Sequence, residues 1–95
     1  MYARLVFIPL ATGALSREQL DRMASQITSR MRQLQGFHSI LLLLDEQRCE
    51  VGALSLWDSQ EALEAATPVL DQMARSGVAA GTPTIRLFEV YEPST

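Results

Sequence analysis

Few side chains in this sequence could do chemistry, and they stand far apart along the chain. Trp57, the only tryptophan, offers a flat face on which an aromatic ligand could stack; its plainer use is to plug the corner where an extended segment gives way to a helix. His38, the only histidine, could serve as a general base near neutral pH. It has no partner at metal-ligand spacing, so a surface or interface position is the simpler reading. Arg86 lies in mid-strand on the side of Phe88 and Val90, where a guanidinium must find a carboxylate or a ligand anion. Glu50 or Glu89 could supply that carboxylate. Tyr2, Arg4 and Tyr91 could line a pocket rim or a subunit edge. Asp45 and Glu46 are paired carboxylates in a polar turn, where solvation explains them, and Met23, Met31 and Met73 have the spacing of a helix core.

Several chemistries are excluded by what the chain lacks. It contains no Gly-x-Gly-x-x-Gly or phosphate loop, no Gly-x-Ser-x-Gly elbow, no Cys/His zinc spacing and no EF-hand loop, so neither a nucleotide cofactor nor a metal is expected. A net charge of -3 with both signs interspersed gives no patch for nucleic acid or an anionic membrane. No apolar run approaches the roughly 20 residues that span a bilayer. The lone Cys49 cannot form an internal disulfide, and fits a reducing, cytoplasmic setting as a small buried hydrophobe. The apolar segment Met1 to Leu15 reads as a strand and not as a signal peptide, because Pro9 interrupts it and Arg4 is its only charge.

The positions of these residues depend on the elements that carry them. Tyr2 to Leu10 is an apolar extended run, ended by Pro9 and the Ala11-Thr12-Gly13 turn. Ser16 and Gln19 form a capping box, and Leu20, Met23, Ala24, Ile27, Met31 and Leu34 recur at helical steps. Gly36 is placed to take a left-handed conformation just past that helix. Ser39 to Leu44 and Cys49 to Trp57 are strands joined by the polar turn Asp45-Glu46-Gln47-Arg48. Asp58 is the expected N-cap of the next helix, with Glu61 in capping-box position and Ala62, Leu63, Ala65 and Ala66 on its apolar face. Thr67-Pro68 should break it, leaving a short third helix with Val69, Leu70, Met73 and Ala74 buried and Gly77 at its end. Gly81-Thr82-Pro83 is a loop, Thr84 to about Tyr91 the last strand, and residues 93–95 a disordered tail. The order strand, helix, strand, strand, helix, strand is the split βαβ arrangement of an α+β, ferredoxin-like single domain over residues 1–95, with four antiparallel strands and both helices on one face.

Two helices cover one face of such a sheet, so the other should alternate with polar residues if it met water. It does not. Leu41 and Leu43 oppose Ile40, Leu42 and Leu44; Leu5 and Phe7 oppose Val6 and Ile8; Ile85 and Leu87 oppose Phe88 and Val90. An extra apolar face of several hundred Å², at about 25 cal/mol per Å², is worth on the order of 10 kcal/mol. A homodimer through the helix-free face is the expected cover.

Gly36-Phe37 before a two-sided apolar strand, the Leu56-Trp57-Asp58-Ser59 joint, the Glu61-Ala62-Leu63 helix start and the Thr67-Pro68 break together resemble the antibiotic-biosynthesis-monooxygenase (ABM) superfamily. The likeness spans roughly residues 2 to 92. It implies a dimeric α+β barrel of two ferredoxin-like protomers, packed sheet against sheet, with a pocket between each sheet and its helices lined by Val51, Ala53, Ala66, Val69 and Met73. Some relatives oxidise polycyclic quinol-like aromatics without metal or flavin, and others degrade haem. Trp57 matches a residue used by both groups. Ala53 stands where the quinol-oxidising members commonly carry asparagine, and Ala66 and Val69 where many members carry histidine. Haem degradation is disfavoured, because His38 lies at a strand entry and not on a helix. What the resemblance implies is a cofactor-free monooxygenase acting on an apolar aromatic, with Trp57 against the ring and Arg86 or His38 stabilising an oxyanion. The alternative is a ligand-binding or structural dimer whose apolar pocket is closed.

Overall fold

Ser16 opens the first helix as its spacing predicts: its Oγ accepts from the Gln19 backbone N–H at 3.1 Å, and its own N–H donates to the Gln19 side chain at 2.8 Å. In this computed structural model, which describes residues 1–9, 16–75 and 82–93, the elements follow the expected order. They are β1 (Tyr2–Pro9), α1 (Arg17–Met31), β2 (Phe37–Asp45), β3 (Glu50–Trp57), α2 (Gln60–Arg75) and β4 (Thr84–Glu89). The sheet is antiparallel in the order β2-β3-β1-β4, so the two central strands are β1 and β3. This is the α+β, ferredoxin-like arrangement.

Register assigns the faces. Tyr2 stands opposite Trp57, Arg4 opposite Ser55 and Leu87, and Val6 opposite Ala53 and Ile85. These side chains look toward the helices. Trp57 there joins Met31 of α1 and Leu63, Ala66 and Leu70 of α2 in one buried cluster, with Tyr2, Ile27, Phe37, Ile40 and Met73 packed around it. The helix-free face carries Leu5, Leu41, Leu43, Leu54 and Phe88, of which Leu41 is 61% exposed and Leu43 and Phe88 are also exposed.

Three local expectations are corrected. Ser59, not Asp58, caps α2: its Oγ accepts from the Ala62 N–H at 3.1 Å, while the Asp58 N–H donates instead to the Gly36 carbonyl at 2.9 Å. Glu61 therefore lies in the first turn without completing a capping box. Gly36 does take a positive φ of 82°, but α1 has already ended at Met31, with Arg32 as a right-handed cap. Its role is to turn the chain into β2.

The third correction is larger. Pro68 does not break the helix; α2 runs through it to Arg75. Leu63, Ala66 and Leu70 are buried on one face across the interruption, and that packing outweighs one lost backbone hydrogen bond. Pro68 is exposed, so the carbonyl deprived of its partner, four residues earlier at Glu64, lies on the side open to water. Thr67 sends its hydroxyl back to the Leu63 carbonyl at 2.8 Å instead of marking a break. The expected Ala11-Thr12-Gly13 turn, the helix end at Gly77, the side chain of Ala74 and Ser94-Thr95 of the tail lie outside the described residues. Among those described, no helix is long and apolar enough to cross a membrane.

Candidate functional site in the sheet–helix layer

Trp57 is 0% exposed. Its indole N–H donates to Ser55 Oγ at 3.0 Å, and the Ser55 hydroxyl donates in turn to the Arg4 carbonyl at 3.4 Å. Phe37 meets the ring edge-on, with centroids 5.5 Å apart and planes at 71°. The residue after it is tied to Gly36 by the Asp58 hydrogen bond. Trp57 thus anchors the strand-to-helix corner from several sides, and neither ring face is open to a ligand.

Two strands of register carry this polar chain to Arg4. Its side chain faces the helices at the centre of the sheet, 3% exposed, and its Nη2 donates to Asp71 Oδ1 on α2 at 3.0 Å. Burial pulls the guanidinium pKa below its ordinary value, and the hydrogen bond and charge of Asp71 oppose that pull. A cation so placed requires an anion, because a buried unpaired charge is far costlier than a pair. Asp71 provides it from a side chain that is 36% exposed, so the pair runs from the interior to the surface.

Of the residues expected to line a pocket, Val51 and Ala53 share the helix-facing side of β3 with Trp57, and Ala66, Val69 and Met73 belong to α2. Val51 and Ala66 are buried, and Ala53, Val69 and Met73 half-buried. Ala66 belongs to the Trp57 cluster and Met73 packs on it. The three candidate catalytic residues are not brought together. Arg86 lies on the helix-free face, opposite Leu5, with its guanidinium carbon 5.1 Å from the Phe88 ring centre. Glu89 falls on the other side of the strand from it. His38 is exposed at a bulge between Phe37 and Ser39, its Nδ1 3.2 Å from Ser39 Oγ. Tyr91 is exposed and Tyr2 half-buried against the core.

The sequence alone does not single out Asp71, and it offers Arg4 only as a rim or edge residue. The signal for Arg4 was present: it shares strand parity with Tyr2, Val6 and Ile8, the side that β1 gives to the helices. Among the described residues no three His, Cys, Asp or Glu side chains cluster closely enough to hold a metal ion. An open hollow of about 440 Å³ on α1, lined by Ser25, Gln26, Ser29 and Arg30, offers only exposed side chains.

No family model matches the sequence, and no curated protein does. Solved structures match across nearly the whole chain. SnoaB, a cofactor-independent oxygenase from Streptomyces nogalater, superposes with a TM-score of 0.71 at 11% identity, covering 97% of this chain and 94% of its own. The monooxygenase from the gene ActVA-Orf6 of Streptomyces coelicolor, solved with nanaomycin D, gives 0.66 at 16% identity, covering 98% and 92%. A variant of MhuD with two manganese protoporphyrin IX molecules per active site gives 0.69 at 18%, covering 100% and 99%. The chain has the fold of these proteins and of others described as antibiotic biosynthesis monooxygenases.

Proposed function

We propose that the protein is a homodimer through the helix-free face of its sheet and acts as a cofactor-independent oxygenase on an electron-rich, quinol-like aromatic held between sheet and helices. Such a substrate reacts in its ionised form. One electron passes from the ring to oxygen, the radical pair joins in a carbon–oxygen bond, and the resulting hydroperoxide loses water. A ring CH2 and O2 thereby become a carbonyl and H2O, with no external reductant.

The observation that carries this reading is the buried Arg4 guanidinium, which shares the helix-facing side of the sheet with Trp57. A fixed cation in a dry layer stabilises a substrate anion that takes the place of Asp71 on it far more than water would, and so favours an acidic substrate. Trp57 holds the strand-to-helix corner of that layer in place. Arg86 and His38 fall outside the layer within one protomer, and in this reading Arg86 belongs to the dimer face. The fold neighbours support oxygenase chemistry by analogy.

A second reading, a non-catalytic dimer with a closed pocket, is favoured by the complete burial of Trp57. Incubation with a panel of reduced quinones and anthrone-like compounds under oxygen, following absorbance and oxygen uptake, separates the two. Acceleration over buffer that disappears in a folded Arg4→Met variant supports the oxygenase. No acceleration across the panel leaves the closed dimer standing.

A further inference from the structure

Ile85 and Leu87 of β4 point to the same side of the sheet as Arg4, because Leu87 pairs with Arg4 and Ile85 with Val6 in the β1–β4 register. On that side Arg4 and Val6 are buried, yet Ile85 and Leu87 remain 41% and 55% exposed. An apolar strip therefore leads from solvent to a buried guanidinium. A second sheet stacked on the opposite face leaves this strip uncovered. At its inner end Asp71 holds Arg4 by the one hydrogen bond from Nη2, and the Asp71 side chain is itself partly exposed.

We propose that this strip is the mouth of the ligand site and that the ligand is a fused-ring aromatic monocarboxylate, its ring on Ile85 and Leu87 and its carboxylate in the place of Asp71 on Arg4. The inference rests on the preceding reading for an aromatic ligand in the sheet–helix layer, and it names what that ligand must carry. Arg4 always needs an anion, so a neutral ligand has to leave Asp71 where it is. A carboxylate ligand can replace Asp71 without leaving the cation bare, and it presents two oxygens to a fork that Asp71 engages through one nitrogen. It also brings a ring that covers the exposed strip, which Asp71 cannot do.

Calorimetric titration of the full chain with 2-naphthoate and 2-naphthamide, neither of them a quinol, tests the proposal. The acid binds on the order of tenfold tighter than the amide, the scale of a charge-assisted hydrogen bond. Arg4→Met removes the preference. Because that variant could fail to fold, Asp71→Asn is the second arm: it keeps the side-chain shape, removes the competing anion and tightens naphthoate relative to naphthamide. Equal binding of acid and amide, no binding of the acid, or a folded Asp71→Asn variant that binds naphthoate no tighter overturns the inference. Oxidation is not read in this experiment, so a failed quinol assay leaves its outcome untouched; oxidation without an anion preference sinks this inference alone.

Discussion

Replacing Gly36 by alanine should destabilise the protein by about 2–5 kcal/mol, through two separable causes. The first is backbone. Gly36 sits at φ +82°, a left-handed conformation that costs an L side chain about 1–2 kcal/mol. The second is contact, since a Cβ at Gly36 would overlap the Cβ of Ala62 in the first turn of α2. The chain cannot slide aside without releasing the Asp58 hydrogen bond that follows Trp57, and overpacking against a held backbone costs about 1–3 kcal/mol. Ala62→Gly removes the overlap but not the φ cost. On its own it loses about 0.5–1 kcal/mol as a helical glycine, and in the double variant it should recover the contact portion, a coupling of about 1–3 kcal/mol. Urea unfolding followed by Trp57 fluorescence, at one fixed protein concentration because association adds to stability, gives all four corners of the cycle. A Gly36→Ala loss below about 0.5 kcal/mol, or strict additivity with Ala62→Gly, would refute the reasoning.

Leu41→Asp places a charge on the most exposed leucine of the helix-free face, and under the proposed interface sedimentation should report a dimer for the parent protein and a 10.5 kDa monomer for the variant; a dimeric variant, or a monomeric parent, counts against the proposed interface. In α2, Leu70→Ala should cost about 2–5 kcal/mol in chemical denaturation, as a fully buried side chain. Pro68→Ala, two residues away but exposed, should stay within about 1 kcal/mol, because the recovered N–H offsets the added freedom of the unfolded chain. Equal losses at the two positions would mean that the buried stripe does not hold the helix together.

Patterns that depend on near neighbours were readable in the sequence. The two-residue alternation of β3 and the three-and-four spacing of α1 are local, and so is the Ser16–Gln19 cap. The element order then fixed the sheet, since few topologies accommodate it. Pro68 reads as a break because local propensity favours one, whereas the stripe Leu63, Ala66 and Leu70 is stabilised by packing on residues distant in sequence such as Tyr2, Phe37 and Ile40. The same limit applies to the site. Arg4 and Asp71 are separated by 67 positions, and only their packing across β1 and α2 makes a pair of them. Arg86 looked suitable in isolation, but its strand parity, once paired with Leu5, sends it to the face away from Trp57.

Pro68 has one further effect, on how α2 can move. The ladder of the helix lacks a rung there, so its first half, which carries Leu63 into the Trp57 cluster, is joined less firmly to the second. Asp71 rides on that second half. A bend at the missing rung could carry the carboxylate away from Arg4 only by also shifting Leu70, which is buried beside Trp57, so the counter-ion is held in place by the same packing that seats the tryptophan corner.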